Sequence, residues 1–99
     1  MKTYILSPEA TEDLSDIKKY LLLEAGVVAT RRVMSKINAQ LKFLNRNPGI
    51  GHRRADLSPM SLRFYPVFSY LVIYIENRPI RIARVLHGSR DVASILNRE

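Results

Sequence analysis

Apolar residues recur at helical spacing in two neighbouring segments of the chain. Residues three and four apart lie on one face of a helix, so each stripe predicts an amphipathic helix with this face in the core. Acidic and basic residues from Asp13 to Lys19 fall largely on the opposite side of the first helix. The first stripe comprises Leu14, Ile17, Leu21 and Ala25, and the second comprises Val33, Ile37, Leu41 and Leu44.

Local signals predict where these two helices begin and end. Ser7 supplies a capping hydroxyl, and Pro8 and Glu9 suit the first positions of a helix. Gly26 is expected to end the first helix, and residues 47–49 (Asn-Pro-Gly) to end the second. Because their connection is short, we predict an antiparallel helical hairpin on one face of a sheet.

Segments rich in β-formers lie on either side of this hairpin. Residues 3–6 predict a short N-terminal strand, and residues 50–61 predict an ordered surface loop. Three later strands with short links form an antiparallel meander, and a short closing helix follows. These elements are expected at residues 62–67, 68–75, 80–87 and 89–96.

The middle strand of the meander has large apolar groups on both faces, which places it centrally in the sheet. The predicted fold class is therefore α+β, with a short N-terminal strand, a helical hairpin, a three-stranded meander and a C-terminal helix. We expect a single domain over residues 1–99.

Composition excludes several classes of protein. The chain has no Cys and only two His among 99 residues, so a disulfide scaffold and a Cys-ligated zinc site are excluded. We expect no metal and no cofactor. The longest strongly apolar run, residues 70–75, is far shorter than the roughly 20 residues of a transmembrane helix. We therefore expect a cytoplasmic protein without membrane association.

The charge is distributed unevenly along the chain. The net charge is +7, and residues from Ala25 onward hold thirteen basic and four acidic side chains. Most of the excess is Arg, whose forked guanidinium recognises phosphate and carboxylate. This composition points to nucleic acid or an acidic protein segment as partner, and a merely soluble basic surface is the alternative.

Three kinds of side chain in the meander admit both a structural and a functional interpretation. Period two places Arg84 on the face of Ile80, Ile82 and Leu86, so it needs a partner. This partner is a carboxylate such as Asp91 or Asp16, a set of loop carbonyls, or a bound anion. His87 either transfers protons or anchors the corner that follows its strand. Tyrosines on strands usually occupy the core or its rim and less often stack on nucleic-acid bases, and we expect the same of the three in the meander. These are Tyr65, Tyr70 and Tyr74.

Four strings, in order over nearly the whole chain, resemble the ParE branch of the RelE/ParE toxins. They are residues 13–21 (DLSDIKKYL), 47–51 (NPGIG), 70–74 (YLVIY) and 84–91 (RVLHGSRD). The resemblance implies the toxin of a type II toxin-antitoxin system. It also implies a cognate ParD-like antitoxin that wraps the toxin in a heteromeric complex, and DNA gyrase as the target.

RelE members of the same superfamily instead cleave mRNA on the ribosome, which is the alternative function. For that chemistry, Arg63 and Arg84 would stabilise phosphate charge and His87 would carry the proton. Gly88 follows His87 where an aromatic residue would fit the nuclease pattern better. The sequence therefore favours a non-enzymatic gyrase poison.

The partners implied by the resemblance have expected contact surfaces. Candidate residues for the gyrase target, or for the DNA it holds, are Arg81, Arg84, Arg90 and Arg98. Exposed sheet edges and the hairpin groove suit an acidic and apolar antitoxin segment. A third possibility is an inactive interaction module that keeps the fold and poisons nothing.

Overall fold

The computed structural model describes residues 3–54 and 61–97. Residue 98 and part of the predicted loop, residues 55–60, lie outside the described residues. The elements in chain order are β1 (Ile5–Leu6), α1 (Pro8–Arg46), β2 (His52–Arg53), β3 (Leu62–Val67), β4 (Tyr70–Ile75), β5 (Arg81–His87) and α2 (Val92–Asn97).

The two predicted helices are the two arms of α1, which breaks at Gly26. A straight helix of 39 residues would be about 58 Å long, whereas the longest dimension of the molecule is 38 Å. Gly26 has φ +84° and ψ 176°, a region that is open essentially to glycine alone. We call residues 8–25 the first arm and residues 27–46 the second arm. The predicted hairpin is confirmed.

Ser7 fixes the start of the first arm and joins it to the sheet. Its hydroxyl accepts a hydrogen bond from the Ala10 backbone N–H at 2.9 Å and donates to the Ala83 carbonyl at 2.7 Å. The Ser7 backbone N–H also donates to the Ile82 carbonyl at 3.0 Å. The predicted cap is therefore also an anchor on β5.

The strands form one five-stranded sheet in the order β1-β5-β4-β3-β2. The meander β3-β4-β5 is antiparallel as predicted, β4 is central, and β1 pairs in parallel with β5. The assignment of residues 52–53 to a loop is wrong, because His52 and Arg53 pair with β3 as an edge strand. Two residues are too few to produce an alternating pattern in the sequence.

The sheet is covered on both faces. The two arms of α1 cover one face, where Ile17, Ile37 and Leu41 pack with Val72 and Tyr74 in one cluster. α2 covers the other face, where its buried side chains pack against β3, β4 and β5. The predicted stripes are core positions except at Ala25, which is exposed beside the Gly26 break. No helix in the described ranges is long and apolar enough to cross a bilayer.

A β-bulge changes the alternation of β5. Ile73 pairs with Arg84, but the next residue of β4, Tyr74, pairs with Ile82, so Ala83 is an extra residue. As a result Val85 packs on the α1 side with Ile82, while Leu86 packs on the α2 side. The prediction that Ile82 and Leu86 share a face is wrong, because strict period two does not continue through a bulge.

The Tyr74 phenol holds the loop that follows α1. It donates a hydrogen bond to the Pro48 carbonyl at 2.8 Å and accepts one from the Gly51 N–H at 2.8 Å. Burial raises the pKa of Tyr74 above its ordinary value, although the bond from Gly51 lowers it. A Cβ on Gly51 would lie 2.5 Å from the Tyr74 hydroxyl, so only glycine fits beneath this ring.

Gly51→Ala is expected to lower the free energy of unfolding by about 1–3 kcal/mol, because the added methyl group displaces a fully buried ring. Gly49→Ala is the matched control. Its Cβ would meet only the Glu76 carboxylate at 3.5 Å, an ordinary contact. Urea denaturation of both variants measures the difference, and equal stabilities would contradict the packing argument.

Candidate functional site

A cleft of about 710 Å³ opens between the first arm of α1 and one end of the sheet. This is the end where β3 turns into β4 and where β5 leads into α2. Its floor is apolar, and aromatic and charged side chains surround the opening. The floor residues are Ile17, Leu21, Val33 and Val85, and the residues around the opening include Asp16, Tyr20, Phe68, His87 and Arg90.

Two aromatic side chains at the opening are unusually exposed. Tyr20 of the first arm is 61% exposed, and Phe68 of the β3–β4 turn is 60% exposed. Phe68 also has φ +56°, a conformation that is uncommon for residues other than glycine and is costly for a bulky one. The turn therefore holds an apolar ring in solvent at an energetic cost.

The predicted first residue of β4 is wrong at this turn. The sequence predicts a strand from residue 68, whereas β4 begins at Tyr70, and residues 68–69 form a two-residue connection. Such hairpin turns usually carry glycine where φ is positive. Phe68 gives no such signal, so the apolar pattern runs through the turn, and neither Phe68 nor Tyr20 was identified from the sequence as part of a site.

The charges around the opening are divided between its two walls. Asp16 is exposed on the wall formed by the first arm, and His87 and Arg90 are exposed on the wall formed by the end of β5. The cleft thus has an acidic side, a basic side and an apolar floor. A bound segment with apolar residues along one face and both charges at its edges would match these walls.

His87 forms a local corner with the residues that follow it. Its Nδ1 accepts the Ser89 backbone N–H at 3.1 Å and lies 2.6 Å from the Ser89 hydroxyl. The ring is also packed edge-on against Tyr70, with 5.7 Å between ring centres. Burial raises the pKa of the Tyr70 phenol, and the neighbouring Tyr20 phenol raises it further. These contacts match the predicted anchoring role of His87.

Arg84 is bound to a carboxylate beneath the cleft. Its Nε and a second guanidinium nitrogen donate to Asp13 at 2.8 and 3.0 Å, and the Val85 N–H donates to the same carboxylate at 3.0 Å. The side chains of Arg84 and Asp13 are only 14% and 11% exposed. A carboxylate partner was predicted, but Asp13 replaces the expected Asp91 or Asp16. Asp13 was missed because helical spacing assigned it to the polar side of the first arm.

Arg63 is bound near the end of the sheet that lies away from the cleft. It donates to the Glu76 carboxylate at 2.8 Å and to the Gly51 carbonyl at 2.7 Å. Arg63 and His87 pair with positions on β4 that are four residues apart. The Cα atoms of Arg63 and His87 are therefore about 16 Å apart, a distance that combines four residues along a strand with two spacings between strands. The three residues of the nuclease alternative are therefore not brought together.

The candidate target-binding arginines are also dispersed. Arg81 and Arg90 are exposed, but Arg81 begins β5 and Arg90 follows its end, so roughly 20 Å of strand lies between them. Arg84 is bound to Asp13, and Arg98 lies outside the described residues. Over residues 3–54 and 61–97, no three His, Asp or Glu side chains converge into a group that could hold a metal ion.

Comparisons with known proteins agree with this architecture. The sequence profile described as "ParE toxin of type II toxin-antitoxin system, parDE" matches residues 4–92. A solved structure titled "Chromosomal ParDE TA system from P. aeruginosa" is similar with a TM-score of 0.73 and 18% sequence identity. That match covers 88% of this chain and 96% of the other, and at this identity it establishes the fold alone. No curated protein matches the sequence.

Asp13→Asn is expected to lower the free energy of unfolding by about 3–5 kcal/mol, because it leaves the half-buried Arg84 charge without its carboxylate. Asp16→Asn, one turn later on the same arm and exposed, is the matched control and should change stability by less than about 0.5 kcal/mol.

Thermal and urea denaturation of both variants and of Asp13→Asn/Arg84→Gln measure this coupling. The double variant should lose less stability than the sum of its two single variants. A strictly additive result would refute the assignment of this ion pair as the link between α1 and β5.

Proposed function

The chain belongs to the ParE toxin family of type II toxin-antitoxin systems, and we propose that an antitoxin neutralises it by filling the cleft and that the free toxin inhibits DNA gyrase. The observation that carries the antitoxin part is the exposed pair Tyr20 and Phe68 at the opening of an apolar cleft. Cytoplasmic location follows from the proposed target.

An amphipathic helix is the form of antitoxin segment that fits the cleft best. Helix-in-groove recognition places apolar residues three and four apart into an apolar groove. The Tyr20 and Phe68 rings would pack on both sides of such a helix, because each lies on a different wall. Large aromatic side chains of this kind contribute most of the affinity in many interfaces.

The sheet edges offer a second contact for the same partner. β2 is an edge strand of two residues, and its His52 and Arg53 side chains are exposed. An acidic extended segment would pair with its open backbone and with these basic side chains. The similar P. aeruginosa structure is titled a ParDE TA system, and we extend the pairing of toxin with antitoxin to this chain. We thus propose that the chain forms a heteromeric complex with a ParD-like antitoxin that is acidic and apolar.

Phe68→Ala and Tyr20→Ala are each expected to weaken binding of the co-encoded antitoxin by about tenfold or more, since an anchoring aromatic is lost. Leu23→Ala is the matched control. Leu23 is an apolar residue of the same arm, is 86% exposed and does not line the cleft. Isothermal titration calorimetry with the antitoxin measures the three affinities, and wild-type affinity for both cleft variants would exclude the cleft as the binding site.

The gyrase part of the proposal rests on the family and on exposed cations of the sheet. Arg81 and Arg90 are exposed, whereas the Arg84 guanidinium is held by Asp13. Among the described candidates, we therefore propose Arg81 and Arg90 as target-binding residues, and Arg98 stays a candidate from the sequence. The DNA held by such a target presents dense negative charge to these groups.

Charge reversal at both sites, Arg81→Glu/Arg90→Glu, is expected to restore supercoiling by gyrase and to reduce trapped linear DNA at a given toxin concentration. Lys18→Glu/Lys19→Glu makes the same change in net charge at exposed positions of the first arm and should leave inhibition unchanged. A gel that resolves supercoiled, relaxed and linear DNA measures both outcomes.

Other results of the same assay favour the other functions. Unimpaired gyrase with folded wild-type toxin would exclude the gyrase proposal and lead to a test of ribosome-dependent mRNA cleavage with His87→Ala. An inactive interaction module would bind the antitoxin but would neither inhibit gyrase nor arrest growth when expressed.

A further inference from the structure

All charged residues of the second arm of α1 are basic. Between Glu24 and Asp56 the sequence has seven basic residues and no acidic one. Five of them lie on the second arm, and all five are exposed. We call these five the basic face: Arg31, Arg32, Lys36, Lys42 and Arg46.

The five cations lie on one side of the second arm. At about 100° per residue they fall within an arc of roughly 140°, and the buried residues Ile37, Leu41 and Leu44 are centred on the opposite side. From Arg31 to Arg46 the face extends for about 22 Å along the helix axis. The packing of the arm on the sheet therefore points these cations outward together.

Within residues 3–54 and 61–97, no acidic side chain neutralises this charge. The two salt bridges within residues 3–54 and 61–97 join Arg63 to Glu76 and Arg84 to Asp13. None of the five cations of the basic face takes part in an ion pair in this part of the chain. Like charges on a single face repel one another, so the arrangement favours a polyanionic ligand.

The composition of the basic face favours nucleic acid over protein. Protein interfaces have an apolar centre and contain little Lys. The exposed large apolar residues of α1 end at Val28, before the basic face begins. Between the cations the exposed positions are small or polar, including Ser35 and Ala39. Such a surface can approach a phosphate backbone closely, and the one large apolar side chain within its arc, Phe43, is partly buried rather than fully exposed.

We propose that the basic face binds the phosphate backbone of duplex DNA without reading its sequence. Duplex DNA carries one charge per 1.7 Å of axis, so a 22 Å face spans about 13 phosphates, more than enough for five cations. Phosphate contacts of this kind position a protein on the duplex and carry no base specificity. Val33, which lines the cleft, lies on another side of the arm, so a segment in the cleft would leave the basic face open.

The inference does not depend on gyrase or on the antitoxin, and its test uses the isolated chain. Fluorescence anisotropy with a labelled 24-base-pair duplex of arbitrary sequence is measured at several salt concentrations between 50 and 200 mM. Five phosphate contacts give an expected slope of log K against log salt of about −4.5.

Lys36→Gln/Lys42→Gln is expected to reduce the size of this slope by about 2 and to weaken binding at 50 mM salt by about tenfold. Lys18→Gln/Lys19→Gln is the matched control, with the same two substitutions at exposed positions of the first arm. Its slope should equal that of the wild type. Circular dichroism and melting temperature establish that both variants fold.

Three results would overturn the proposal. An equal loss of DNA affinity in the two double variants would mean that net charge alone attracts DNA. A wild-type slope near zero would exclude phosphate contacts. Tighter binding of a 20-residue poly-glutamate peptide than of the duplex at the same salt would assign the face to an acidic protein segment instead.

Discussion

The position of the first arm on the sheet depends on the carboxylate of Asp13, which accepts hydrogen bonds from the Arg84 guanidinium and from the Val85 backbone at the β-bulge. β1 pairs with β5 only at Arg81 and Ile82, and farther along β5 the Asp13 carboxylate satisfies the Val85 N–H at a mostly buried position. The same contact fixes the floor of the cleft, because Val85 lines it and Asp13 forms part of its wall. The Asp13 carboxylate thus binds the Arg84 charge, satisfies the Val85 backbone and helps to shape the cleft.

Local features of the sequence are sufficient to predict most of the fold. The two apolar stripes, the Ser7 cap and the Gly26 break are properties of short segments, and the structure contains each of them. The features that were missed depend on contacts distant in sequence or on exceptions to a residue preference. Period two could not indicate the bulge at Ala83, and Phe68 occupies a turn position where glycine is usual. The partner of Arg84 lies 71 residues earlier in the chain, so spacing within β5 could not identify it.

The candidate site was predicted less well than the fold. Arginines were identified in the meander from their charge, but Arg63 and Arg84 proved to bind Glu76 and Asp13 within the protein. The two exposed aromatic residues at the cleft opening, Tyr20 and Phe68, were missed, because Tyr20 resembles any residue on the polar side of an amphipathic helix. The two surfaces of α1 therefore differ in chemistry. Its first arm contributes apolar and acidic groups to the cleft, whereas the charged side chains that its second arm presents to solvent are all cations.

β5 is made long after the residues of the N-terminal strand and the first arm with which it packs. β5 pairs with β1, carries the partner of Asp13 and receives the Ser7 hydroxyl 76 residues after Ser7 is made. At translation rates of about 5–20 residues per second, the first arm is exposed on the ribosome for several seconds before β5 exists. During that interval the β5 side chains that cover its apolar stripe in the folded protein are absent. Because Val85, Leu86 and His87 line the cleft, it forms only after β5 has been made.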